Sequence, residues 1–237
     1  MKRVVLTGGS SGIGLGIARA LADKGHRLHV MAVAAVEEWR SAAGGLGDQV
    51  AYHRLDLTHY DSARDRLQQI AGEMGGLDAL INNAGVMAFE NAHEATSESI
   101  RRHLAVNLEA PIHLTGAALS IMVAQGSGQI INIASVAAVK ATPKLAVYSA
   151  AKAGLLQYTR SIAAEYAAKK IRANVICPGC VETALTSRVM YALIKRGIPL
   201  GEFQTPQEIA GLVNWLLSEE ARNVTGAVFS MDGGMSL

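Results

Sequence analysis

Short apolar runs rich in β-branched residues alternate along the chain with longer stretches of helical period. Residues 4–7, 28–33, 50–55, 79–81, 129–133, 172–177 and 227–230 have the length and composition of strands. Residues 13–24, 62–74, 97–123, 148–168 and 206–217 repeat their apolar positions at helical spacing. The strand runs lack a polar face, as strands covered on both sides do. Alternation of this kind predicts an α/β fold, a doubly wound parallel sheet of about seven strands with helices on both faces. No repeat, low-complexity tract or Pro/Ser-rich linker interrupts it, so residues 1–237 read as a single domain.

Composition narrows the function classes. The chain has 237 residues, half of them apolar, enough for one sizeable core. A formal net charge of +2 without a long Lys/Arg run provides no electrostatic footprint for nucleic acid or an anionic membrane. No continuous apolar segment of transmembrane length is expected. The opening apolar run Val4-Val5-Leu6 is broken by Thr7-Gly8-Gly9, too early for a signal-peptide core. Two cysteines, Cys177 and Cys180, cannot form a disulfide framework, so a reducing cytoplasm is the expected setting.

Three stretches carry candidate chemistry. Tyr148 and Lys152 stand four apart near the start of a helical run and therefore share a face. An ammonium fixed beside a phenol stabilises the phenolate and lowers the phenol's pKa, which makes such a tyrosine a proton donor or acceptor near neutrality. The first strand runs into Thr7-Gly8-Gly9-Ser10-Ser11-Gly12-Ile13-Gly14, after which a helix begins. Glycines at 8, 12 and 14 allow a tight turn and the approach of a pyrophosphate to the helix N-terminus. Cys177-Pro178-Gly179-Cys180 has the C-x-x-C spacing of thiol redox motifs or half a zinc site. No second pair or nearby His pair completes a zinc set, and the pair ends a late strand instead of opening a helix, so no metal and no thiol chemistry are expected.

Five motifs in order identify a resemblance that covers essentially the whole chain. Thr7-Gly8-x-x-x-Gly12-x-Gly14, Asn82-Asn83-Ala84-Gly85, Ser135 thirteen residues before Tyr148, Tyr148-x-x-x-Lys152 and Pro178-Gly179 resemble the short-chain dehydrogenase/reductase family, and in particular its 3-oxoacyl-carrier-protein reductases. Taken singly, Ser135 reads as a turn or cap residue and Asn107 as a satisfied polar group in a helix. The resemblance implies a Rossmann-type fold and a catalytic set of Asn107, Ser135, Tyr148 and Lys152. It implies that Tyr148 exchanges a proton with the substrate oxygen, Ser135 polarises that oxygen, Lys152 holds the nicotinamide ribose and tunes the phenol, and Asn107 binds a relay water. For the dinucleotide it implies contacts from Gly8, Ser10, Ser11, Gly12, Ile13 and Gly14, from Asp56 and Leu57 at the adenine, and from Asn83, Ala84 and Gly85 on the adenosine side. Tyr148 and Lys152 join that set, with Pro178, Gly179, Val181 and Thr183 at the carboxamide.

The expected activity is the NAD(P)(H)-dependent interconversion of a secondary alcohol and a ketone. A dinucleotide-binding regulator without turnover would need none of the four catalytic residues, and the extended epimerase or dehydratase branch carries more chain beyond the cofactor fold. Residues 32–35, at the end of the second strand, are Ala-Val-Ala-Ala, with neither the acid usual for NAD nor the cation usual for NADP. A 2′-phosphate without a cation forfeits a charge-assisted bond, whereas a 2′-hydroxyl without an acid loses about one ordinary bond, so NAD(H) is favoured. Residues 184–201 are expected to form a short apolar lid over a small-molecule substrate. Helices apolar around much of their circumference, together with the family-like C-terminus, imply a homotetramer or dimer.

Overall fold

A computed structural model of the chain describes residues 1–182 and 196–237. Its centre is a single sheet of seven parallel strands, β1 (Arg3–Thr7), β2 (Arg27–Ala32), β3 (Ala51–Arg54), β4 (Ala79–Asn82), β5 (Gly128–Ile133), β6 (Ile171–Pro178) and β7 (Val228–Met231). Their order across the sheet is β3-β2-β1-β4-β5-β6-β7. Helices α1 (Gly12–Asp23), α2 (Val36–Ala43), α3 (Tyr60–Met74), α4 (Ser97–Leu104), α5 (Ala110–Gln125), α6 (Ala146–Tyr166) and α7 (Pro206–Leu217) make the connections. The predicted doubly wound sheet is therefore the observed one. Direction of travel reverses between β1 and β4, and a crevice opens at the carboxyl ends of strands flanking such a switch point.

Strand period two sorts the core into two layers. Val4 and Leu6 face α1 and α7, where they meet Ile17, Leu21, Ile209 and Val213. Val5 and Leu80 face α3 and α5, where they meet Leu67, Ile70, Leu114 and Met122. Helix α7 starts on a capping box, Thr205 accepting from Glu208 N–H while the Glu208 carboxylate accepts from Thr205 N–H, with Pro206 in its first turn. A buried polar ladder crosses the second layer. Asn82 Nδ2 donates to Thr115 Oγ1 at 3.1 Å and to Asn132 Oδ1 at 2.8 Å, and Asn132 Nδ2 donates to Thr159 Oγ1 at 2.7 Å.

The single helix expected over 97–123 is broken into α4, a wider π turn at Ala105–Glu109, and α5. Pro111 has no N–H to give to the carbonyl of Asn107 four residues earlier, and the helix widens where Ala110 N–H reaches Ala105 O. The whole run Ser97–Gln125 has, against expectation, the length and composition of a membrane-crossing helix. Half of its most apolar window is buried inside the fold, as in a core helix.

Candidate active site

The switch point holds a crevice of about 940 Å³. Its floor is the glycine turn between β1 and α1. Gly8 takes φ +67°, and a Cβ there would lie 2.7 Å from Ala84 Cα. A Cβ on Gly14 would lie 2.1 Å from Gly8 O and 2.5 Å from Asn83 Nδ2, so only hydrogen fits. Ser11, at the helix N-cap, makes no side-chain cap bond, so the first-turn N–H groups of α1 are left to an anion at the crevice.

Asn83 joins the two loops of this floor. Its Nδ2 donates to Thr7 O at 3.1 Å and Gly8 O at 2.9 Å, while Thr7 Oγ1 accepts from the N–H groups of Asn83 and Ala84 at 3.0 and 3.1 Å. Gly8, Ser10, Ser11, Gly12, Ile13, Gly14, Asp56, Leu57, Asn83, Ala84, Gly85, Tyr148 and Lys152 all line the crevice. These open amides, close glycines and a carboxylate at the far end fit a dinucleotide.

At the other end, α6 carries Tyr148 and Lys152 on one face. Lys152 is buried, its Nζ donates to Ile133 O at 2.9 Å and lies 5.9 Å from the centroid of the Tyr148 ring. Burial pulls the Lys152 ammonium down to about 8. Burial pushes the Tyr148 phenol above its ordinary value, and a hydrogen bond from Ser135 pulls the other way. The expected depression of the phenol by the ammonium is thus not what governs Tyr148 here: desolvation is larger, and the opposing group is Ser135.

Ser135 and Asn107 are next to the crevice wall. Ser135 heads a short 3₁₀ turn after β5, its hydroxyl accepting from Ala137 N–H at 3.2 Å. Asn107 is fully buried, with Oδ1 accepting from Val86 N–H at 3.2 Å and Nδ2 donating to Val86 O at 2.8 Å. Both of its side-chain polar atoms are thereby engaged. Gly85 lies between Asn107 and Lys152: a Cβ there would stand 2.9 Å from Asn107 Oδ1 and 3.5 Å from Lys152 Nζ.

Pro178, Gly179 and Val181 leave β6 against the C-terminal segment and do not line the crevice among the described residues. Gly179 N–H donates to Met231 O at 2.7 Å, and Val181 bridges Gln204. Thr183 and residues 184–195 of the expected lid lie outside the described residues. Residues 196–201 pack on the C-terminus, Leu200 N–H donating to Gly233 O at 3.0 Å. Cys177 and Cys180 are free, and burial raises both thiols, Cys177 to about 11, which leaves them poor nucleophiles. Among the described residues no cluster of His, Cys, Asp and Glu forms a metal set.

Sequence reading missed Arg101 and Arg102, which line the crevice from α4. Arg102 is close enough to Asp56 to lower its carboxyl, behind the larger effect of hydrogen bonds from Thr58. Their place five and six residues before Asn107 on the same helix was the available signal.

Comparison with known proteins finds relatives and solved structures that match nearly the whole chain. The family profile described as enoyl-(acyl carrier protein) reductase matches residues 8–236. A D-beta-hydroxybutyrate dehydrogenase of Cupriavidus necator is 36% identical over 250 residues, covering 98% of this chain and 97% of that protein. A 3-oxoacyl-[acyl-carrier-protein] reductase of Bos taurus is 36% identical over 230 residues, covering 97% and 96%. The solved short chain dehydrogenase of Bacillus anthracis superimposes with a TM-score of 0.90 at 32% identity, covering 99% of this chain and 97% of that one. A short-chain type dehydrogenase/reductase of Mycobacterium marinum does so at 0.91 and 31%, covering 99% and 95%. The chain belongs to the short-chain dehydrogenase/reductase family of oxidoreductases.

Proposed function

We propose that this protein interconverts a secondary alcohol and a ketone by hydride transfer with NAD(H) or NADP(H), using Tyr148 as general acid/base. The observation that carries the reading is the meeting of Tyr148 with buried Lys152 at one end of a crevice whose other end is the glycine turn. A bound nicotinamide dinucleotide supplies the hydride chemistry. Residues 8–14 would hold its pyrophosphate, Asp56 and Leu57 its adenine, and the backbone at Asn83, Ala84 and Gly85 the adjoining ribose.

Ser135 and Tyr148 donate hydrogen bonds to the substrate oxygen, and Tyr148 gives up its proton as that oxygen gains charge. In the oxidative direction Tyr148 takes the proton back. Lys152, tethered to Ile133 O, keeps a cation behind the phenol as the phenolate forms. Asn107 holds Val86 with its side chain, and its main-chain carbonyl, which Pro111 cannot cap, is the group left to bind a water between Lys152 and solvent.

The two named relatives act on 3-hydroxy or 3-oxo acyl groups, and the substrate class taken here is a 3-oxoacyl/3-hydroxyacyl pair. NAD(H) is preferred, because the end of β2 offers Ala32 and an exposed Val33, with no cation for a 2′-phosphate. The protein works as a homotetramer or dimer in a reducing compartment, a reading supported by exposed Trp215 and Val228 beside the edge strand β7 and by two free thiols.

A nicotinamide absorbance assay across 3-oxo acids and their thioesters tests the reading. Tyr148→Phe should lower kcat by about 10² to 10⁴ while dinucleotide affinity stays near wild type. Tight dinucleotide binding with no turnover of any carbonyl or alcohol would favour the regulator instead, and a strong preference for NADPH would reverse the cofactor assignment.

A further inference from the structure

Val86 and Met87 line the crevice, and three side chains of the facing helix run hold residues 86–90. Ser99, His103 and Asn107 are spaced four apart and share a face. Asn107 brackets both backbone polar groups of Val86 at 3.2 and 2.8 Å. His103 Nε2 accepts from Ala88 N–H at 3.1 Å. The Ser99 hydroxyl donates to Glu90 Oε1 at 2.6 Å. A helix advances about 6 Å in four residues and an extended chain about 6.6 Å in two, so the two rows stay in step. Glu90 N–H donates in turn to Lys144 O at 2.9 Å, in the loop that enters the helix carrying Tyr148.

The middle rung is the most constrained. His103 is 3% exposed and its two nitrogens face opposite demands. Ser99 O, 2.9 Å from Nδ1, can only accept, and Ala88 N–H can only donate. The ring is therefore neutral with its proton on Nδ1. Its edge meets the Tyr148 ring, with centroids 6.5 Å apart and planes at 75°.

We propose that His103 is a positioning residue that fixes the 86–90 segment, and with it Val86 and Met87 of the crevice lining, against the Tyr148 ring and so sets how the substrate chain is held beside the phenol. Its kinetic consequence rests on the proposed oxidoreductase activity, and its structural part does not. The test uses the full chain with His103→Leu, which keeps bulk, and His103→Gln, which keeps one donor and one acceptor. ¹⁵N shifts of the wild-type imidazole should report Nδ1–H with a bare Nε2. In His103→Leu, exchange of the Ala88 amide should quicken about tenfold, the equivalent of one lost hydrogen bond. Substrate KM should rise several-fold, more than kcat falls, with dinucleotide affinity unchanged, and His103→Gln should restore most of both effects. An Nε2–H tautomer, unaltered Ala88 exchange in His103→Leu, or a Gln variant no better than Leu would overturn the proposal. If His103→Leu does not fold, the tautomer and the Ala88 exchange of His103→Gln decide it. If no substrate turns over, the tautomer and exchange still decide it, and the oxidoreductase reading fails separately.

Discussion

Lys152 shows how one side chain couples the fold to pH. Its ammonium titrates near 8 in the fold and at 10.5 in an unfolded chain, because burial disfavours the charge. Between those values the unfolded state binds more protons, so stability rises with pH across the window and the burial cost is fully felt below it. Lys152→Met removes that cost. In the absence of dinucleotide, urea unfolding should show wild type gaining on Lys152→Met between about pH 8 and 10.5, by on the order of 3 kcal/mol. A gap that stays constant with pH would mean the ammonium is not desolvated. At this scale the motif residues were legible, because type and spacing carry the chemistry. The sequence did not tell that Asn107 uses its side chain on Val86, since the segment 86–90 reaches it only through the fold.

At the scale of elements, the two ends of α1 separate a glycine needed for close approach from one needed only for conformation. Gly14→Ala forces a Cβ against Gly8 O and Asn83 Nδ2, so titration should show dinucleotide affinity down at least about tenfold with stability down by about 1–3 kcal/mol. Gly25 has φ +72° with nothing within 4 Å of its Cβ position, so Gly25→Ala should cost about 1 kcal/mol and leave dinucleotide binding alone. The outer strands contain a second titrating pair. His29 on β2 and His53 on β3 are bonded at 2.9 Å and stacked at 5.2 Å, and burial lowers both. A lowered histidine contributes stability that is present above its unfolded value of 6.5 and lost as pH falls below it. The urea midpoint should therefore fall below about pH 6.5, and His29→Leu should flatten that slope. Strand and helix runs were readable to within a residue or two at most ends. The π turn inside the 97–123 run was not, because helical period alone does not show where the missing N–H of Pro111 widens the helix.

At the scale of the whole molecule, the parallel sheet buries both faces and leaves β3 and β7 as its edges. Val228 on β7 and Trp215, whose ring meets Phe229 of that strand, are exposed at this edge. Light scattering at micromolar concentration should return a dimer or tetramer, and Val228→Lys with Trp215→Lys should shift it toward monomer without unfolding the protein. A wild-type monomer would remove the oligomer from the proposed function.

Period and spacing within the chain determined the strand and helix succession, the glycine turn and the pairing of Tyr148 with Lys152, because each is set by neighbours a few residues apart. Tertiary structure decided the rest. Only packing brings Arg101 and Arg102 to the crevice, makes burial the largest influence on Tyr148, and sets Ser99, His103 and Asn107 against residues 86–90. Desolvation and register between separate segments depend on what the whole chain places around a group, and no local pattern contains that.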